Sequence, residues 1–445
     1  MPRKMHIGYD LSWWHLEGRW RVPGSWSHTT FPDIRMFKES AMIAERGLLD
    51  FIFFGDGTGI PATWQGKRDD AVKWAVGWPR HDMSPYIAAM SQVTQNVGFG
   101  LTYSSTFMHP FYVARLLNAL DHVTNGRIAF NVVASSRRAD AANYGFDELM
   151  EHSQRYDRME EFMDICKALW GSVSPDAFIW DKESGIAADP AKVHAIDHKG
   201  KFFSVAGPLS CMPSPQIEPV LVQAGASPRG IKASAHFVDH VFAASPALAK
   251  QKAHRCALDE ALMAEGRDPS KVGIIWDVVL LVEEDSAEAK RRKEQLLEFV
   301  PPEAVGAFMS HQCGYDLSQL PQTFTINEIN EIIKKRNASP VGFMNMTSHI
   351  DPDREVTREE FYEEIRLHTA SYDHTFAGSA EEVADYLEEV FVETGERGGF
   401  MIAHPPKSPR DLLNVIDYLI PELQRRGRFR TKYSGGTLRE NLAEH

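Results

Sequence analysis

Short apolar runs rich in Val, Ile, Phe and Met recur along the chain, and most of them do not alternate with polar residues. Met5–Asp10, Phe51–Phe54, Val97–Thr102, Ile128–Val133, Pro219–Gln223, His240–Ala243, Gly273–Val282 and Gly399–Ala403 make eight such runs. Strands covered on both faces need apolar residues on both, so continuous runs of this length read as buried parallel strands. Between them lie stretches with apolar residues at helical spacing: Asp33–Leu48, Ser84–Thr94, Tyr112–Val123, Arg155–Trp170, Pro228–Phe237, Pro246–Glu265, Ala287–Val300, Ala380–Phe391 and Pro409–Arg425. Eight strands alternating with helices predict an α/β fold of the (β/α)8 (TIM barrel) kind. An open doubly wound sheet is the competing architecture. Against it, no GxGxxG follows the first strand, and Gly98 and Gly100 fall inside a strand without a third glycine at the required spacing.

Two segments break the alternation and read as insertions at the C-terminal mouth of the barrel. Residues 171–218 are rich in Pro, Gly and Asp and predict hairpins over the mouth. Residues 301–378 are longer, with a polar helix near Ile326–Arg336 and a Met/Asn/His segment at Gly342–His349. The polar tail, 427–445, is expected on the surface or against a partner.

Composition narrows the function classes. With 48 Lys and Arg against 61 Asp and Glu, the 445-residue chain carries a formal charge of −13, its bases scattered among acids. That leaves no basic stripe for phosphate backbones or anionic membranes. No run approaches the apolar length of a membrane span, and the N-terminus has no signal-peptide core, so a soluble cytoplasmic protein is expected. Cys166, Cys211, Cys256 and Cys313 lie far apart with no CxxC pair, which predicts reduced thiols and neither a zinc site nor a disulfide framework.

Chemistry in a barrel gathers where its strands end. After the first strand come Trp13, Trp14, His15, Trp20, Trp26 and His28, four of the ten tryptophans. Such a load of flat apolar surface suits a planar ligand or apolar substrate, and a subunit contact equally well. The second strand leads to Asp56, the third to Thr102, Ser104, Ser105 and Thr106, the fourth to Asn131, Ser135 and Ser136. These are neutral hydrogen-bonding groups with one carboxylate and no triad base. Singly each could cap the next helix, but together they suit a polar heteroaromatic ring better than hydrolysis. His152 and Tyr156, four apart at a helix start, share a face and can both donate to one anion. In GASPRG (Gly225–Gly230), Ser227 and Pro228 read as N-cap and first turn, either a plain capped loop or an open helix terminus for a phosphate. Metal readings are weaker. His194 and His198 have helical zinc spacing but sit in a hairpin-like context with Ala195 where a metalloprotease needs Glu, and His81, Asp82 and His109 stand apart. No metal is expected.

FGDG at Phe54–Gly57, LTYSSTFMHPFYVAR at Leu101–Arg115, NGRIAFNVVASS at Asn125–Ser136, HSQRYDRMEEF at His152–Phe162, SPQIEPVLVQAGASPRG at Ser214–Gly230 and GRFRTKYSGGTLRENL at Gly427–Leu442 form an ordered set. Together they closely resemble the bacterial-luciferase-like flavin monooxygenases, within them the branch of nitrilotriacetate, dibenzothiophene-sulfone and long-chain-alkane monooxygenases. The resemblance implies a single luciferase-like barrel domain over 1–445. It also implies reduced FMN supplied by a separate NAD(P)H:flavin reductase, reaction with O2, insertion of one oxygen atom into a small organic substrate, and a homodimer or homotetramer. Carried over residue by residue, the implied FMN contacts are Asp56, Thr102, Asn131, Ser135, His152, Tyr156, Gly225 and Ser227, with His152, Tyr156 and Ser227 nearest the phosphate. Asn131, Ser135 and either His15 or His28 would stand at the reacting face. Ala134 replaces a frequent Thr and Ile217 a frequent Gly of the family pattern, which predicts a differently shaped ring-side surface. The segment between His6 and Trp26 is longer than usual, leaving the choice between His15 and His28 open.

The leading expectation is therefore an FMNH2-dependent monooxygenase, for which Trp13, Trp14, Trp20, Phe53, Phe54, Trp64 and Phe107 point to an aromatic, heteroaromatic or sulfur-containing substrate. An aminopolycarboxylate substrate would instead use Arg19, Arg21, Lys67, Arg68, Arg137 and Arg138. A catalytically idle flavin-binding protein and a metal-dependent barrel hydrolase are the readings from other classes.

Overall fold

In the computed structural model, which describes residues 2–12, 19–25, 32–245, 247–335, 343, 347, 349–369, 375–403 and 408–443, eight parallel strands close into a barrel. They are β1 (His6–Asp10), β2 (Phe51–Phe54), β3 (Gly98–Ser104), β4 (Ile128–Val133), β5 (Val220–Ala224), β6 (His240–Ala244), β7 (Gly273–Glu283) and β8 (Gly398–Ala403). Each pairs with the next, and β8 returns to β1, closing the ring. The sequence-derived architecture is borne out, and β2, β4 and the helix Pro228–Phe237 match their expected bounds. One further strand, Thr375–Ser379, lies where an insertion was expected. It pairs with Val279–Glu283, the part of β7 that runs on past β8.

The pleat sorts the apolar runs into two layers. Ile52, Phe54, Phe99, Phe130 and Phe400 pack outward against the helices, while Phe51, Phe53, Ala129, Val220, Val222, Phe242, Ile275 and Met401 fill the interior. That two-sided burial is the physical reason the strands lack alternation.

The tail departs from expectation. Its last helix, Leu438–Leu442, closes the barrel floor, with Leu438 and Leu442 buried in the interior cluster beside Phe51 and Phe242. Gly98 makes room, since a Cβ there would lie 2.6 Å from a Leu438 methyl. Two leucines four apart in a polar segment become core only when a ring of strands presents an apolar socket. Ile217 is likewise a floor residue. Its φ is +62°, a region that favours glycine, and its neighbour Gln216 accepts from the backbone N–H of Arg439 in the tail.

Segment 171–218 does form hairpins, Phe178–Asp181 with Ile186–Ala188 and His198–Lys199 with Ser204–Val205. Its contacts run along the outer helices rather than over the mouth. Glu161 accepts from the N–H groups of Phe202 and Phe203 and bonds His198 at 3.0 Å, and Asn118 donates to the Met212 carbonyl. Hydrogen-bonding groups on the helix flanks, invisible in the hairpin sequence, decide that placement. Segment 301–378 is the one that reaches the mouth, with a core of its own built from Val305, Met309, Leu317, Ile329 and Phe361. It docks through the helix Pro302–Cys313, where the Trp64 ring lies against Gly306 and Asp316 accepts from the Gln65 N–H at 3.0 Å.

Candidate active site

At the C-terminal ends of β2, β3 and β4 a short relay of hydrogen bonds crosses the barrel. Thr102 and Asn131 are cross-strand partners, and both side chains point inward. The Thr102 hydroxyl donates to the Phe54 carbonyl at 3.0 Å, and the Asn131 amide donates to Thr102 Oγ1 at 2.9 Å. This leaves Asn131 Oδ1 buried with no hydrogen-bond partner. A buried amide oxygen without a donor costs about 1–3 kcal/mol unless a ligand or water supplies one, so the relay ends on an unmet acceptor.

Beside it, Asp56 follows β2 and takes the Gly57 N–H at 2.7 Å. Burial pushes its carboxyl upward, with the Gly57 N–H and Arg80 pulling the other way. Two clefts meet at Asp56. One, of about 310 Å³, is lined by Gly57, Thr102, Ser104, Phe107, Ser135 and Tyr144 among others, the Phe107 and Tyr144 rings stacked at 5.2 Å. The other, of about 300 Å³, has Leu11, Ser12, Gly55, Arg80 and His81 on its walls. Ser135 is pinned twice. Its hydroxyl donates to Ser104 Oγ at 2.8 Å, and its carbonyl accepts from Arg155 at 2.7 Å.

Arg155 lies on the helix His152–Trp170, whose first turn carries His152 and Tyr156, their rings 5.2 Å apart. Burial and Arg155 lower the His152 pKa, favouring a neutral ring. Tyr156 reaches toward the start of the helix Pro228–Phe237, which Ser227 caps by accepting the Gly230 N–H at 3.1 Å. A Cβ at Gly230 would meet the Tyr156 hydroxyl at 3.0 Å and Ser227 Oγ at 3.2 Å, and one at Gly225 would lie 3.1 Å from the Gly230 backbone. Hydroxyls and small residues thus converge on a helix N-terminus, where N–H groups and the helix dipole favour an anion.

The expected residues therefore fall into two groups joined through Arg155: Asp56, Thr102, Asn131 and Ser135 at the strand ends, and His152, Tyr156, Gly225 and Ser227 at the helix start. His15 and His28, with Trp13, Trp14 and Trp26, lie outside the described residues. Trp64 packs beneath the inserted helix and Phe53 belongs to the interior core, so these two pack the fold, while Phe54, of the outer core, also lines the second cleft. Sequence reasoning missed Asp140, which accepts the N–H groups of Thr58 and Gly59 at 2.9 and 2.6 Å and shapes the loop after Asp56. It also missed Arg80 and His311. Buried and beside Arg137 and Arg80, His311 has its pKa lowered to about 3, so its ring is neutral. Nothing in its local sequence marks it, because only the docking of helix Pro302–Cys313 brings it to the mouth.

The luciferase-like monooxygenase family model matches residues 18–398. The chain belongs to this family. It is 35% identical to the dibenzothiophene-sulfone monooxygenase of Rhodococcus erythropolis (strain XP), over 99% of this chain and 96% of that one. It is 34% identical to nitrilotriacetate monooxygenase component A of Aminobacter aminovorans, with the same coverage of each. A solved riboflavin lyase structure, with modified FMN and riboflavin, superimposes with a TM-score of 0.89 at 28% identity, covering 99% of this chain and 96% of that one. The expected enzyme class is borne out: the chain is an oxidoreductase of the monooxygenase type.

Proposed function

We propose that this chain is the oxygenase of a two-component system, taking reduced FMN from a separate NAD(P)H:flavin reductase and using O2 to oxygenate a small organic substrate. The observation that carries the reading is the unmet Asn131 Oδ1 at the end of the Phe54–Thr102–Asn131 relay, whose Thr102 lines the cleft at Asp56. A flavin brings what the two residue groups lack, a ring edge with N–H and C=O groups for the strand ends and a phosphate for the helix start. Bound there, it would supply the electrons and the oxygen chemistry for which the described strand ends hold no nucleophile.

The chain's own residues then divide the work. Tyr156 and Ser227, with the first N–H groups of helix Pro228–Phe237, hold the phosphate, and His152 adds a neutral ring beside it. Gly225 keeps that approach clear. Asp56, Thr102 and Asn131 orient the ring edge, and Ser135, anchored by Ser104 and Arg155, borders the reacting face together with Asn131 and a histidine of the first loop, His15 or His28. The inserted helix Pro302–Cys313 and the Phe107–Tyr144 wall would exclude water from the place where a bound flavin would meet O2. The same reading has the whole chain acting as one catalytic unit and assembling into a homodimer or homotetramer. The outward face of helix Pro110–Val123, with Tyr112 and Val123 exposed, supports the assembly, and light scattering over a wide concentration range tests it. For the activity, the purified chain is supplied with a flavin reductase, NADH, FMN and air, and offered sulfones, heteroaromatics and aminopolycarboxylates. Oxygenated product is expected only with FMN present. Failure to bind FMN removes the reading.

A further inference from the structure

The groups proposed to seat the phosphate, Tyr156, Ser227 and the neutral His152, are uncharged, and two arginines of unlike standing lie near them. Arg229, in the first turn of the helix Pro228–Phe237, already has its anions. It donates to Glu160 at 2.7 and 2.9 Å and to Asp157 at 2.8 Å, its guanidinium 5.4 Å from the centre of the Tyr156 ring. Arg155, in the helix His152–Trp170, is buried and forms no ion pair among the described residues. Its guanidinium makes one hydrogen bond there, to the Ser135 carbonyl at 2.7 Å, and its Nε is buried with no acceptor. Glu151 is the carboxylate that acts on it, but Glu151 is exposed and occupied, taking the Gln154 N–H and the Ser153 hydroxyl. Burial outweighs both Glu151 and Tyr156, so the Arg155 pKa is lowered.

The Arg155 charge reaches the proposed seat. After burial it is the strongest influence on the His152 ring, ahead of Glu151, which opposes it, and of Arg229. It also holds Ser135 on the wall of the cleft at Asp56. Resting on the proposed function, we infer that Arg155 makes the site specific for a phosphorylated flavin, its guanidinium being the cation against which the phosphate is bound. A guanidinium taken out of water without an anion is unfavourable, and the phosphate is the part of FMN whose charge answers it. Tyr156, Ser227 and the first N–H groups of the helix Pro228–Phe237 give neutral hydrogen bonds that orient the phosphate. Arg155 gives the charge that distinguishes FMN from riboflavin, the same ring and side chain without the phosphate.

Reduced FMN and reduced riboflavin are titrated anaerobically into wild-type protein and into Arg155→Gln, Arg155→Met and Arg155→Lys. Wild type is expected to prefer FMN. Arg155→Gln should weaken FMN by about ten- to a hundredfold, the worth of a hydrogen bond to a charged oxygen. Riboflavin should stay within about threefold of wild type, because Ser104 still holds the Ser135 hydroxyl. Arg155→Met, which fills the space without a charge, should repeat that pattern, and Arg155→Lys should recover part of the FMN loss. Retained riboflavin affinity also shows that a variant folds. Equal weakening of both flavins would mean that Arg155 acts only by holding Ser135, and loss of folding in both Arg155→Gln and Arg155→Met would make it a structural residue. Either result, or unchanged FMN affinity, overturns the inference and leaves the proposed function standing. Wild-type protein that binds no FMN removes both.

Discussion

Two aspartates bracket β2, and the protein treats them in opposite ways. Asp50, at the floor, accepts the Ile7 N–H at 2.7 Å, bonds His6 at 3.1 Å and pairs with Arg430 from the tail. Arg430 and His6 outweigh burial and hold its carboxyl below the ordinary range. Asp56, at the mouth, is also largely enclosed, and there burial, with the charges of Asp82 and Asp140, outweighs the Gly57 N–H and Arg80, so its carboxyl rises. The contrast extends outward. At the floor Arg127 donates to the carbonyls of Ser91, Thr94, Val97 and Thr124, and Tyr433 donates to the Leu49 carbonyl. At the mouth Asn131 Oδ1 has no donor, and a histidine is held neutral between arginines. The carboxylate at the floor is paired by the chain's own cation, whereas the carboxylate at the mouth is not, and an unmet amide acceptor lies beside it.

Breaking the floor should produce the largest effect. Asp50→Asn leaves the Arg430 guanidinium buried without its anion, a change that costs about 3–5 kcal/mol in such pairs, read as a lower urea midpoint. The pH dependence follows from the sign of the shift. A carboxyl lowered on folding contributes its stability above its unfolded value, near 3.8, and loses it as pH falls through the folded value, so wild type and Asp50→Asn should converge in strongly acidic solution. A constant gap down to pH 2 would mean that the pair is not what stabilises the floor. Leu438→Ala comes next, at about 2–5 kcal/mol, since it empties a fully buried socket in the barrel interior.

At the mouth the expected losses are in binding. Tyr156→Phe should weaken reduced FMN by about ten- to a hundredfold in an anaerobic titration, the worth of a hydrogen bond to a charged oxygen, with little change in unfolding. Ser227→Ala should do the same and in addition cost about 1 kcal/mol of stability, because Ser227 also caps its helix. Mouth substitutions that destabilised the fold as much as Asp50→Asn would erase the distinction between the two ends. The smallest effect on binding is expected of Ser135→Ala, about two- to threefold, because Arg155 still holds the Ser135 carbonyl. Its signature is a larger share of oxygen released as peroxide at the expense of product, and unchanged coupling would remove Ser135 from the reacting face.

The amino-acid sequence by itself determined the barrel, because strands buried on both faces must be apolar on both, and that constraint is written into each run from Phe51–Phe54 to Gly399–Ala403. It also marked Asp56, Thr102, Asn131 and Ser135, since strand ends in a barrel share one mouth, and the helix start at Ser227, since capping is local chemistry. The order of motifs gave the family. What only the tertiary structure decided are relations between residues far apart in the chain. These include the leucines of a polar tail seated in the floor, Ile217 at that floor instead of by the ring, Trp64 packed beneath an inserted helix, and His311 brought beside Arg80 and Arg137. Periodicity and capping report a residue's own turn or strand. Charge pairing and long-range packing depend on which segments the closed barrel brings within a few ångströms, and no local pattern carries that information.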